Sequence, residues 1–146
     1  MKKRKELLIY SIVLIALAIL DIIQLILDFD SGIFELLKTE DELVQTVMKV
    51  IFYVIISITV LSILIELYLG GKGIAESKNP SGAKFHISLS KFIGIINIVF
   101  AVITVISMFN STNLKSDFET LSLCVIDIIF MFSYANVAKR VRNGEE

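Results

Sequence analysis

Val50-Ile51-Phe52-Tyr53-Val54-Ile55-Ile56-Ser57-Ile58-Thr59-Val60-Leu61-Ser62-Ile63-Leu64-Ile65 carries no charge and only isolated hydroxyls. A helix in water needs a polar face, and this one has almost none. Lipid is the solvent that tolerates it. The run belongs to a longer apolar stretch at 44–69, and others lie at 7–27, 87–109 and 121–138. Each is close to the ~20 residues that a helix needs to cross a bilayer. The sequence therefore predicts an all-α membrane protein, with four transmembrane helices in an up-down-up-down bundle that fills residues 1–146 as one domain. With 55% hydrophobic residues and a mean hydropathy of +0.81, no room is left for a separate soluble domain.

The net charge of −1 conceals a strong segregation. Lys2, Lys3, Arg4 and Lys5 precede the first stretch, Lys72, Lys78, Lys84 and Lys91 surround the second connection, and Lys139, Arg140 and Arg142 follow the fourth stretch. Of the fourteen basic residues, only Lys38, Lys49 and Lys115 fall on the other side. The positive-inside rule then predicts a multi-pass protein of the cell membrane with both termini and the middle connection in the cytoplasm. A basic start followed by an apolar run also resembles a signal peptide. Here the run continues to Leu27, beyond the ~7–15 residues of such a segment, and meets Asp28-Phe29-Asp30 without a small-x-small site, so an uncleaved first helix is expected. The single cysteine, Cys124, lies inside the fourth stretch and reads as a small packing residue.

Helix starts on the outer side are signalled by Thr39-Glu40-Asp41-Glu42 and Ser116-Asp117-Phe118-Glu119, both of the capping-box form. The second helix is expected to begin near Glu40, which makes it about 45 Å long and implies a protruding end or a tilt. Ile33, Phe34, Leu36 and Leu37 form an apolar group too short to span, which suggests a short interfacial helix over Gly32–Lys38. The segment Gly70–Gly82 concentrates the glycines and the only proline, so a loop of about a dozen residues is expected there. The two hairpins on either side share a design, with return helices ending in Gly70 and Gly144, which hints at a duplication.

Gly71-x-Gly73-Ile74, followed by Asn79-Pro80 and a new apolar helix, resembles the middle loop of small, uncharacterised four-helix membrane proteins of Gram-positive bacteria with AT-rich genomes. The resemblance covers about a tenth of the chain; it implies the four-helix topology in a bacterial membrane and no activity.

Polar residues at membrane depth follow helical spacing. In the third stretch Ser90, Gly94, Asn97, Ala101, Thr104 and Met108 alternate by four and three, the pattern of a packing seam in which small residues allow close backbone approach. Similar stripes are expected in the fourth, through Thr120, Cys124, Asp127, Met131, Tyr134 and Ala138, and in the first, through Ser11, Leu14, Ala18, Asp21, Leu25 and Asp28. Thr59, Ser62 and Glu66 share a face of the second. Asp21 and Asp127 stand out, because a carboxylate within a span costs ~2.5–3.5 kcal/mol on insertion scales. Counted from Leu27 and Phe118 they lie about 9 Å and 13 Å deep, so they are candidates to face each other. A facing pair would share a proton or hold a cation. Equally, each suits a structural tie to Gln24, Asn97 or Tyr53.

Lys49 is placed to snorkel or to turn toward Asp21 or Asp28, and Glu66 with Lys91 to form an interfacial ion pair. His86, the only histidine, has no second ligand near it in sequence and reads as an interface residue rather than part of a metal site. The glycines around Lys72 lack the G-x-x-x-x-G-K-[ST] pattern of a phosphate loop. Lys72, Lys78 and Lys84 instead suggest a basic lipid-facing loop, attractive to anionic headgroups at the cytoplasmic face or serving only to set topology. Tyr10, Tyr68 and Tyr134 fall toward that same face, as headgroup-level anchors do.

No nucleophile with an adjacent base, no cysteine pair and no histidine cluster is present, so neither an enzyme nor a cofactor is expected. Nucleic acid is not an expected partner. The leading expectation is an interaction or structural subunit that packs its helices against copies of itself or a membrane-protein partner. The alternative is a small proton- or cation-coupled transporter or channel that uses the carboxylates. Single cysteines at Ser31, Ser81 and Ser111, in a Cys124→Ser background, test the topology. An impermeant thiol reagent should label the first and third in intact cells; labelling at the Ser81 position from outside would invert the orientation.

Overall fold

The computed structural model describes residues 2–36, 42–80, 84–109 and 114–144, with the backbone alone described for 28–36 and 42. It contains four helices: α1 (Lys2–Leu36), α2 (Glu42–Lys78), α3 (Phe85–Met108) and α4 (Leu114–Arg142). Among the described residues there is no strand, and all four helices are long and apolar enough to cross a membrane. The chain separates into two compact units. One comprises Met1–Tyr10 with Lys72–Glu146, the other Ser11–Gly71.

The helix limits correct the sequence reading in several places. α1 continues without a break through Asp28-Phe29-Asp30 and Gly32 to Leu36, so the separate interfacial helix does not form. α2 does not stop at Gly70. It runs on through Gly71, Lys72 and Gly73 to Lys78, so most of the expected loop is helix, and Lys72 and Lys78 are helical rather than loop residues. The terminator is Pro80, which lacks a donor and disfavours the helical conformation at Asn79 before it. Asn79 still donates to the Ala75 carbonyl at 2.9 Å, and the helix ends there.

Glycine is a weak helix breaker, costing ~1 kcal/mol relative to alanine, and close packing can outweigh that. Gly70 has such a reason. A β-carbon there would lie 2.6 Å from Ile15 Cγ1 and 2.9 Å from the Ser11 carbonyl oxygen, so the backbones of α1 and α2 touch at this point. Around it Ser11, Leu14, Ala18, Ile63 and Leu69 are buried. The α1 residues lie on one stripe, which continues to half-buried Asp21 and Leu25; the Asp28 side chain lies outside those described.

α4 has conventional ends. Asp117 sits in its first turn and Lys139, Arg140 and Arg142 in its last, matching the helix dipole. Gly144, at φ 76°, closes it by donating to the Val141 carbonyl at 3.1 Å. Gly70 lies mid-helix, so the two glycines do not mark equivalent ends. The start at Leu114 also places Ser116 inside the helix, where its carbonyl accepts from the Thr120 hydroxyl at 3.0 Å, rather than at the cap. The Thr39–Glu42 box falls on residues outside those described.

Gly70→Ala and Gly71→Ala separate packing from propensity. The first pushes a methyl into a backbone oxygen and should destabilise the protein in detergent or bilayer unfolding by ~1–3 kcal/mol. The second meets nothing within 4 Å and should be neutral or stabilising by up to ~1 kcal/mol. Equal effects would remove the close contact.

Candidate functional site

α3 and α4 pack against each other within the first unit. On α3, Ser90 and Gly94 are buried and Asn97, Ala101, Thr104 and Met108 half-buried, whereas every other residue from Ile98 to Phe109 is exposed. The Ser90 hydroxyl donates to the Met131 carbonyl at 2.7 Å, and Met131 Sδ lies 3.6 Å from the same oxygen. At Gly94 the Phe132 ring approaches so closely that a β-carbon would meet its Cε2 at 2.8 Å. Small residues thus let α4 come close.

The covered stripe of α4 runs through Asp117, Leu121, Cys124, Ile128, Met131, Ala135 and Ala138, a strict alternation of four and three. It shares Cys124, Met131 and Ala138 with the sequence-derived stripe, whose Tyr134 is buried as well, but passes through Ile128 in place of Asp127. Both positions neighbour Met131 on a helix surface, three and four residues away, and the larger apolar side chain takes the covered place. Asp127 is exposed, with Val125, Ile126 and Ile129 exposed around it, and Thr120 is exposed as well. Asp21 and Gln24 belong to the other unit, the first half-buried and the second exposed.

Several hydroxyls in the apolar segments are satisfied within their own helix. Ser57 donates to Tyr53 O (2.7 Å), Thr59 to Ile55 O (3.0 Å), Thr104 to Phe100 O (2.9 Å) and Ser122 to Phe118 O (2.8 Å). Such back-bonding lets a hydroxyl face lipid without an orphaned donor.

Where Pro80 ends α2 and Lys84 begins α3, the last turns of α2, the first turns of α3 and the last turns of α4 belong to the same unit, and a polar cluster is buried there. Its members are Glu76 (2% exposed), Ser77 (8%), His86 (1%), Ser90 and Tyr134 (both 0%). Ser77 donates to the Ile74 carbonyl at 2.7 Å. His86 meets Tyr134 edge to face, with ring centroids 6.2 Å apart and planes at 78°. Neither His86 nitrogen has a hydrogen-bond partner. Each buried polar atom left in this way costs ~1–3 kcal/mol. The charged groups that act on the ring are Glu76, Lys72 and Arg142.

This cluster corrects two expectations. His86, read as an interface residue, is enclosed by protein, and Tyr134 takes the buried place that its stripe gave it rather than that of a headgroup anchor. Tyr10 is half-buried, edge to face with Phe130 at 5.1 Å. The signal for His86 was present, because extending the Ser90–Gly94–Asn97 stripe one turn back reaches positions 86 and 87. Glu76 was hidden by reading Gly70–Gly82 as loop. Lys72, Lys78 and Lys84 are all exposed, as are Lys49 and Lys91, and Glu66 and Lys91 fall in different units. Among the described residues no three histidine, cysteine or carboxylate side chains converge as a metal site would require. What the cluster offers chemically is a buried imidazole whose two nitrogens are unbonded, in the same unit as a buried glutamate.

No protein-family model, curated protein or solved structure matches the chain.

Gly94→Leu should collide with Phe132 and destabilise the α3–α4 pair by ~1–3 kcal/mol or more, against little change for Val99→Leu on the exposed face. Ser90→Ala, which removes the hydroxyl that bridges the helices, should cost ~1 kcal/mol. Equal tolerance of Gly94→Leu and Val99→Leu in an unfolding titration would dissolve the seam.

Proposed function

We propose that this chain is a non-enzymatic membrane protein that acts as an interaction or structural subunit, pairing its helices with copies of itself or with a membrane-protein partner. The observation that supports this reading is the exposed Asp127 on α4, set among exposed Val125, Ile126 and Ile129. An aspartate at an exposed position among apolar side chains is expensive against lipid and less so against a partner helix. Gln24 adds a second exposed polar group at membrane depth. The apolar windows of the four helices are only 17%, 6%, 11% and 28% buried within the chain, so ample surface is free to pair.

In this reading the basic end faces the cytoplasm, with both termini inside. Exposed Lys72, Lys78 and Lys84 then meet anionic headgroups at ~1 kcal/mol per charge. The competing function is proton or cation transport through Asp21 and Asp127.

Extraction into native-lipid discs followed by mass measurement separates the two. The interaction reading expects a complex larger than one chain that survives Asp127→Asn, because an amide keeps the hydrogen-bonding capacity of a protonated acid, and that weakens with Asp127→Leu. A monomer in native membranes would contradict it. So would acid-dependent ion flux in reconstituted vesicles that Asp21→Asn or Asp127→Asn abolishes.

A further inference from the structure

The buried cluster holds an imidazole with two unbonded nitrogens against Tyr134 of α4, in the unit where Glu76 and Ser77 near the end of α2 are also buried. We propose that His86 is a proton-binding site that latches this junction: neutral, it lets the Lys72–Lys78 turn of α2 close, and protonated, it releases that turn to water.

Enclosure of a ring whose nitrogens have no hydrogen-bond partner decides the sign, and the charged groups around it are these. From α2 come Glu76, which favours an imidazolium, and Lys72, which opposes it; from α4 come Arg142, which also opposes it, and the Tyr134 ring. His86 itself stands in the first turn of α3, where the positive end of the helix dipole adds to the opposition. An imidazolium with neither N–H bonded cannot stay enclosed, and the nearest relief is solvation. The closed junction is therefore stabilised above the pH at which the ring titrates and is lost as pH falls through it. The histidine is the residue type whose charge changes between about pH 5 and 8.

The chain has one histidine, so ring-labelled [13C]histidine reports on this site alone. Buried Ser77, changed to cysteine in a Cys124→Ser background, reports opening through its reaction rate with a soluble thiol reagent, normalised to an Asn79→Cys control at an exposed position. In bilayers, acidification should shift the ring resonance and raise the normalised rate about tenfold over the same interval between about pH 8 and 5. His86→Phe, which keeps a ring against Tyr134, should make the rate independent of pH. Glu76→Gln should move the wild-type transition to lower pH, because it removes the one group that favours the charge. A ring that titrates while Ser77→Cys stays protected would overturn the latch, as would a ring that does not titrate in this range or a pH dependence that survives His86→Phe. If His86→Phe fails to fold, the coincidence of the two wild-type curves and the Glu76→Gln displacement still decide.

Discussion

Inside a bilayer the chain must satisfy its own amides and carbonyls, since lipid offers no hydrogen bonds. That constraint accounts for more of this structure than side-chain hydrophobicity does. α2 stays helical through Gly70, Gly71 and Gly73, and breaks off only before Pro80, which has no donor to offer. The same constraint directs Ser57, Thr59, Thr104 and Ser122 back onto their own helices. It also makes Ser90 notable: its hydroxyl crosses to α4 and ties the two backbones where Gly94, one turn along, lets the Phe132 ring settle. Small residues in α3 and one hydroxyl do the work that apolar burial does in water.

The sequence revealed what depends on length and period. Four membrane-length helices follow from apolar runs, and the covered stripe of α3 follows from the spacing of Ser90 through Met108 because small side chains there have few alternative uses. The reading of α4 drifted by one position, from Ile128 to Asp127, because two adjacent positions fit the same alternation and polarity was allowed to choose between them. Glycine was read as punctuation at Gly70, whereas its role is to admit Ile15 and the Ser11 carbonyl. Contacts distant in sequence leave no local trace. The burial of His86 against Tyr134 of α4 is such a contact, and its sequence neighbours do not announce it.

The two regions of chemical interest differ in kind. Near the end of α2 and the start of α3, Glu76 and His86 are buried, and the proton response proposed for that region rests on the histidine. At membrane depth, polar groups such as Asp127 and Gln24 lie on exposed surfaces, and the pairing of helices with other chains is the use proposed for them.

The packing of α3 on α4 along matched stripes is the central claim, and the native Cys124 supplies half of a direct test. Ser90 meets Met131, and a step of seven residues along each antiparallel helix, about 10 Å, sets Asn97 level with Cys124. An Asn97→Cys variant exposed to a short thiol–thiol cross-linker in the membrane should form the intrachain link in high yield, whereas Val99→Cys, on the opposite face, should not. Equal yields, or a link only with Val99→Cys, would contradict the account.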